Sequence, residues 1–280
     1  MTLPRFFITL PSDQQPCAPG STLLLSRTGD FDAQVYHHLV TVLRLKSGEQ
    51  IQIVQRDSWQ GWLCQIETID ATQLTLRVIT KLEAASDPFE LTLVIGCSKG
   101  DTTEQVVRQA SELGVARIMP VLFDRCVSRP RGTRAEGKIA RLQKVAQSAA
   151  QQSQRCDLPI VTQLYSFSAA AEQLVQLQPD ALFILWEEEE EPSSTLTEML
   201  AKLPLPDPAV RRPHIVLVVG PEGGITYSEV AALRELGGSS VSLGRSILRV
   251  DTAACAAVAI TAAALRSRLD AAPVAQAQKH

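Results

Sequence analysis

Residues 215–264 constrain this chain more than any other stretch. The apolar, largely β-branched run Ile215-Val216-Leu217-Val218-Val219 stops at Gly220-Pro221-Glu222-Gly223-Gly224. A run of that kind, bounded by glycine and proline, predicts a buried strand that ends in a sharp turn. A helical pattern follows over 228–236, then a second short strand over 240–243. That strand ends at Gly244-Arg245-Ser246, and Arg249-Val250-Asp251-Thr252 then opens an alanine-rich helix. Two glycine turns therefore close two strands of one α/β sheet at their carboxyl ends, the edge where open α/β sheets take ligands. Without a Cβ, the glycines let the backbone come close to a bound molecule.

The preceding residues support such a sheet. Strand patterns over 91–97, 117–122, 160–163 and 181–186 alternate with helical patterns over 102–113, 135–152, 168–177 and 194–202. Regular alternation predicts parallel strands with helices on both faces. Upstream of a polar, proline-containing linker at 83–89 the rhythm differs. Short strand patterns over 21–25, 50–55, 61–69 and 74–79 are separated by turn residues and interrupted by one helical segment at 33–43. Several short strands at this spacing predict a small β-barrel. The expected organisation is a β-barrel domain over 1–82, an α/β domain over 90–269, and a small, polar, flexible tail over 270–280.

Composition excludes some functions. The net charge is −3, so any nucleic-acid contact rests on a local patch. That patch is expected between 117 and 144, where Arg129-Pro130-Arg131-Gly132-Thr133-Arg134 forms a basic loop suited to phosphates. The six cysteines, Cys17, Cys64, Cys97, Cys126, Cys156 and Cys255, form no C-x-x-C pair and no metal-ligand spacing, so reduced thiols and no metal are expected. No basic-then-apolar leader opens the chain, and the alanine-rich run at 253–265 is too short to span a bilayer. A soluble cytoplasmic protein is expected. His37 and His38 lack partners for a metal site and read as packing or surface residues. Gly96-Cys97-Ser98-Lys99-Gly100 matches neither phosphate-binding glycine pattern and reads as a tight β–α turn. Glu187 to Glu191 is a carboxylate run of the solvated kind, although Glu187 itself follows a strand at the ligand edge.

The pairing of Gly220-Pro221-Glu222-Gly223-Gly224 with Leu243-Gly244-Arg245-Ser246-Ile247-Leu248-Arg249-Val250-Asp251-Thr252-Ala253 resembles the SPOUT (α/β-knot) RNA methyltransferases. Within them the chain is similar to the RsmE family, which methylates N3 of a uridine in 16S ribosomal RNA. Leu3-Pro4-Arg5-Phe6-Phe7, His37 to Arg44, Cys97 to Asp101, Gln109 to Val115 and Arg125-Cys126 extend the likeness along the chain. The resemblance implies an α/β fold with a knotted parallel sheet, preceded by a PUA-like RNA-binding domain. It also implies S-adenosyl-L-methionine as cofactor, 16S rRNA or the small ribosomal subunit as partner, and a homodimer.

It places the cofactor on three loops: Leu185, Trp186 and Glu187; Val219, Gly220, Pro221, Glu222, Gly223 and Gly224; and Leu243, Gly244, Ile247, Leu248 and Thr252. Arg5, Arg44, Arg129, Arg131 and Arg134 are the candidate RNA contacts. Methylating the imide nitrogen of uracil requires removal of its proton or stabilisation of its anion. Asp251 and Glu222 are the carboxylates for the first task, and Arg249 is the cation for the second. The family has Glu at the position of Asp251. Asp251 also stands where a helix-capping carboxylate stands, and the two roles are compatible. The general base is left open between a carboxylate, water and an RNA group. Two other functions fit part of the pattern: a ribose 2′-O RNA methyltransferase, and a non-catalytic RNA-binding ribosome-assembly factor.

Overall fold

A computed structural model describes residues 3–9, 18–27, 32–56, 58, 60–83, 87–186 and 194–270. The chain divides into two units, Met1–Ser86 with Ala150–Leu158, and Asp87–Ala149 with Pro159–His280.

The first unit is a five-stranded sheet in the order β1-β3-β4-β5-β2, built from β1 (Arg5–Ile8), β2 (Thr22–Ser26), β3 (Gln50–Gln55), β4 (Gly61–Ile69) and β5 (Gln73–Leu82). β1 runs parallel to β3, and the other pairs are antiparallel. Alternation sets the inner face: Leu23 and Leu25 are buried in β2 while Thr22 and Leu24 are exposed, and Leu74, Leu76 and Val78 are buried in β5. No pairing closes β1 onto β2 among the described residues. Helix α1 (Asp32–His37) packs against both of these edge strands. The expected helix at 33–43 is shorter than its pattern. It passes into a single π-type turn over His38–Val42, where the β-branched residues Val40, Thr41 and Val42 sit, and Arg44 then takes φ +55°.

Residues 150–158, read from sequence as part of the α/β domain, group with the first unit. Phe7 and Val54 bury against Ala150 and Leu158. Arg5, 8% exposed, donates Nε–H to Gln52 Oε1 at 2.8 Å and Nη1–H to the Gln154 carbonyl and to Cys156 Sγ at 3.3 Å.

The second unit is a seven-stranded parallel sheet in the order β12-β10-β11-β6-β7-β8, with β9 beside β7. Its strands are β6 (Glu90–Gly96), β7 (Arg117–Leu122), β8 (Ile160–Val161), β9 (Tyr165–Ser166), β10 (Ala181–Leu185), β11 (His214–Val219) and β12 (Ser239–Val241). β11 lies between β10 and β6 and is buried along its whole length, which is why its sequence does not alternate. Helices α2 (Thr102–Leu113), α3 (Thr133–Gln152), α5 (Leu196–Lys202) and α7 (Val250–Asp270) contribute to the core of one face. Helices α4 (Phe167–Leu177) and α6 (Tyr227–Glu235) contribute to the other. α7 runs 21 residues, longer than its alanine-rich segment, and is long and apolar enough to cross a membrane. Ala254, Ala257, Val258, Thr261, Ala262 and Leu265 bury one side of it in the sheet core, and Arg266 pairs with Asp87 at 2.7 Å. The run at 187–191 and the tail at 271–280 lie outside the described residues.

Candidate active site

The cavity begins where the two central strands end. β6 and β11 are in register up to Ile95 and Val219, so the turns that follow them leave the sheet side by side. Gly96 is demanded by this approach. A Cβ there would stand 2.3 Å from the nitrogen of Pro221 and 2.8 Å from the carbonyl carbon of Gly220. Glu222 adds a tie, its Oε1 accepting the N–H of Lys99 at 3.3 Å. Two glycines need their backbone freedom: Gly224 at φ +76° and Gly244 at φ +125°.

Around these turns lies a cavity of about 730 Å³, within the range of small-molecule sites. Its lining comes from the ends of β10, β11 and β12, from the first turn of α7, and from Thr102 and Gln105 on α2. Leu185, Val219, Ile225, Val241, Leu243 and Leu248 supply apolar surface. Trp186 is held in place: its Nε1–H donates to the Ile225 carbonyl at 3.2 Å, Arg234 lies 5.6 Å from its ring, and Tyr227 meets it edge-on at 4.8 Å. Glu222, Arg245, Arg249 and Asp251 are the charged members of the lining. Among the described residues, Arg245, Arg249 and Asp251 make no side-chain hydrogen bond or ion pair. They leave two cations and one carboxylate available to whatever enters.

Most of the sequence-chosen cofactor residues meet here: Leu185, Trp186, Val219, Gly220, Pro221, Glu222, Gly224, Leu243, Gly244, Ile247 and Leu248, together with Arg249 and Asp251. Two do not line the cavity. Gly223 faces the other way, where a Cβ would stand 2.9 Å from the carbonyl oxygen of Arg125, so its missing side chain serves the neighbouring loop. Thr252 is exposed on α7. Glu187 lies outside the described residues.

The basic candidates separate by whether their donors are used. Arg5 is buried, and its guanidinium donates to the first unit's own acceptors. Arg129 braces its own loop: Nε–H donates to the Cys126 carbonyl at 3.1 Å, and Nη2–H to those of Phe123 at 2.8 Å and Asp124 at 2.5 Å. Arg44, Arg131 and Arg134 are exposed and, among the described residues, have no ion pair.

Sequence reasoning missed Thr102, Gln105, Ile225, Val241, Ser242, Arg245, Ser246, Val250 and Ala253. Several lie inside or next to the two glycine motifs and were legible as their neighbours. Thr102 and Gln105 were not, since only the β6–β11 pairing carries α2 to the cavity. Beside them, Lys138 Nζ reaches the Ser98 carbonyl at 3.4 Å and Cys97 Sγ at 3.8 Å. Burial pushes the Cys97 thiol up, against the pull of Lys138.

Comparison with known proteins fits this geometry. Residues 85–262 match the RNA methyltransferase domain family, and residues 31–79 match the RNA methyltransferase PUA domain family. Ribosomal RNA small subunit methyltransferase E of Synechocystis sp. is 32% identical over 233 residues, 82% of this chain and 71% of that protein. The chain belongs to the ribosomal RNA small subunit methyltransferase E family. The family protein of Bacillus subtilis is 28% identical, with 89% of this chain and 92% of that protein covered. A crystal structure of the family protein from Neisseria gonorrhoeae, bound to S-adenosyl methionine, superposes with a TM-score of 0.73 at 26% identity, covering 92% of this chain and 96% of that one. As a member of that family, this chain is an RNA methyltransferase with a parallel-sheet α/β domain and an amino-terminal PUA-like domain.

Proposed function

We propose that this enzyme transfers the methyl group of S-adenosyl-L-methionine to N3 of a specific uridine in 16S ribosomal RNA of the small subunit. The observation that carries the reading is the convergence of three strand-end loops on one cavity with Arg249 and Asp251 unpaired at its wall. The residues fit the cofactor. Leu185, Val241, Leu243 and Leu248 offer an apolar slot for adenine, while Arg245 offers a charge for the cofactor's carboxylate. When bound, the cofactor supplies a methyl group activated by its sulfonium.

The protein's part is to orient the base, keep water out and manage one proton. N3 of uracil lies between two carbonyls and loses its proton as the methyl arrives. Asp251 holds that proton in this reading, since among the described residues both its oxygens are free, whereas Glu222 is engaged by Lys99. Arg249 donates to the uracil carbonyl oxygen on which negative charge grows. Arg44, Arg131 and Arg134 hold phosphates, which supply affinity without chemistry.

Three further features belong to the reading. A homodimer forms through α7, supported by its half-exposed or exposed stripe of Thr252, Cys255, Ala256, Ala259, Ile260 and Ala263 at helical spacing. A knot is supported by the bridge between Thr195 and Ser242, which sets the chain after β12 beside the entrance to α5. A cytoplasmic site of action is supported by the ribosomal RNA named for the relatives and by the free thiols of Cys64, Cys97, Cys126, Cys156 and Cys255.

The test is mass spectrometry of nucleosides from 16S rRNA of a strain lacking the gene. Loss of one N3-methyluridine, restored by the purified enzyme with S-adenosylmethionine, is the expected result. Loss of a ribose-methylated nucleoside instead would move the target to the 2′-hydroxyl. Unchanged nucleosides together with no cofactor binding in calorimetry would leave only an RNA-binding role.

A further inference from the structure

Glu229 is a carboxylate inside the protein, 3% exposed. Among the described residues it has no ion pair. Three neutral donors compensate its charge. Oε2 accepts the N–H of Thr226 at 3.0 Å and its hydroxyl at 2.8 Å, while Oε1 accepts the N–H of Asp124 at 2.7 Å. The first pair is half of a capping box that starts α6, a local arrangement that an exposed Glu makes equally well. The bond to Asp124 has no part in capping.

That second bond reaches across the sheet edge. Thr226 closes the turn that follows β11, and Asp124 sits in the loop that follows β7. These strands are not neighbours, for β6 runs between them. Glu229 therefore ties together two loops that straddle the end of β6. The junction is reinforced nearby, where Arg125 Nη1–H donates to the Gly223 carbonyl at 3.2 Å and the bare Cα of Gly223 lies against Arg125. The turn being held, 220–225, supplies Gly220, Pro221, Glu222, Gly224 and Ile225 to the cavity.

We propose that Glu229 is a positioning residue for methyl transfer: it fixes the backbone of the 220–225 turn against the loop after β7, so that the turn is already shaped for the cofactor. The inference rests on the reading of the cavity as the S-adenosylmethionine site. Preorganising a binding loop lowers the ordering cost of association, so the effect falls on cofactor affinity before it falls on chemistry.

The sharp probe is Glu229→Gln in the full chain. It keeps volume and shape but turns one oxygen into a donor. Because each oxygen faces a backbone N–H, either orientation of the amide sets one donor against another. The dissociation constant and the KM for S-adenosylmethionine should both rise about tenfold, the scale set by one unsatisfied buried donor, with kcat at saturating cofactor falling much less. Thr226→Ala is the comparison, since it weakens the helix cap and leaves the bond to Asp124. It should lower thermal stability with a smaller change in cofactor KM. Equal cofactor KM in wild type and Glu229→Gln would reduce the residue to a cap and overturn the proposal. Should Glu229→Gln not fold, Arg125→Ala carries the same test, because it loosens the same junction from outside. An unchanged cofactor KM in that variant would also overturn it. A wild-type enzyme that fails to bind S-adenosylmethionine would sink the functional reading instead, a result distinct from these.

Discussion

Gly96→Ala should damage both the fold and the site. The added methyl group points at main chain. It would stand 2.3 Å from Pro221 N, 2.6 Å from Pro221 Cδ and 2.8 Å from the carbonyl carbon of Gly220, where ordinary contact begins at 3.4 Å. The two turns must then part by about 1 Å. Neither gives easily, since β6 and β11 are central strands buried on both faces. Overpacking of this kind costs about 3 kcal/mol at the upper end of its usual range. In a domain of this size that lowers Tm by roughly 6–12 °C. The displacement falls on Gly220 and Pro221, so cofactor affinity should fall as well. Gly137→Ala is the internal control. It lies in α3 with nothing within 4 Å of a Cβ, and should raise stability by about 0.5–1 kcal/mol. Thermal unfolding followed by circular dichroism, with cofactor calorimetry on the same samples, reads both effects. A Gly96→Ala enzyme with wild-type Tm and affinity would refute the close approach of the two turns.

Other expectations follow from the same contacts. Arg249→Ala should cost about a hundred- to thousandfold in single-turnover rate at saturating RNA with cofactor affinity retained, and a parallel loss of cofactor binding would assign the residue to the cofactor loop instead. Replacing Arg131 and Arg134 together by Ala should weaken RNA binding and reduce its salt slope by roughly 1.4–1.8, checked by filter binding across a salt series. Burial holds the His214 imidazole below its usual 6.5, so the unfolded chain takes up the proton first. The stability this neutral histidine contributes is present above about pH 6.5 and is lost as pH falls through its lowered value. Urea midpoints should show that extra loss in the wild type and not in His214→Gln.

Much of the α/β unit was legible because burial on both faces writes itself into sequence. The run from Ile215 to Val219 has no polar residue because β11 has no solvent side. The first unit was harder. β1, Arg-Phe-Phe-Ile, has four buried residues and no alternation, and its partner β3 lies more than forty residues away. The cavity's glycine motifs were visible, but the purpose of each glycine was not. Gly223 and Gly96 are glycines because of Arg125 and Pro221, contacts fixed by strand order that no local spacing records. The partners of charged residues were hidden in a similar way. Arg5 and Arg129 read as candidate RNA contacts in sequence, and the structure shows each also donating to carbonyls of its own fold.

The excursion of residues 150–158 into the first unit bears on how the protein is made. Phe7 and Val54 pack against Ala150 and Leu158, and Arg5 Nη1 donates to the Gln154 carbonyl, contacts that cannot form until that segment exists. On the ribosome, the amino-terminal strands emerge long before the segment that finishes them. The unit that comes off first is therefore completed only after β6, α2, β7 and most of α3 have been synthesised. A nascent chain halted before residue 150 would hold an amino-terminal unit with an apolar patch open to water, a natural client for a chaperone at the exit tunnel.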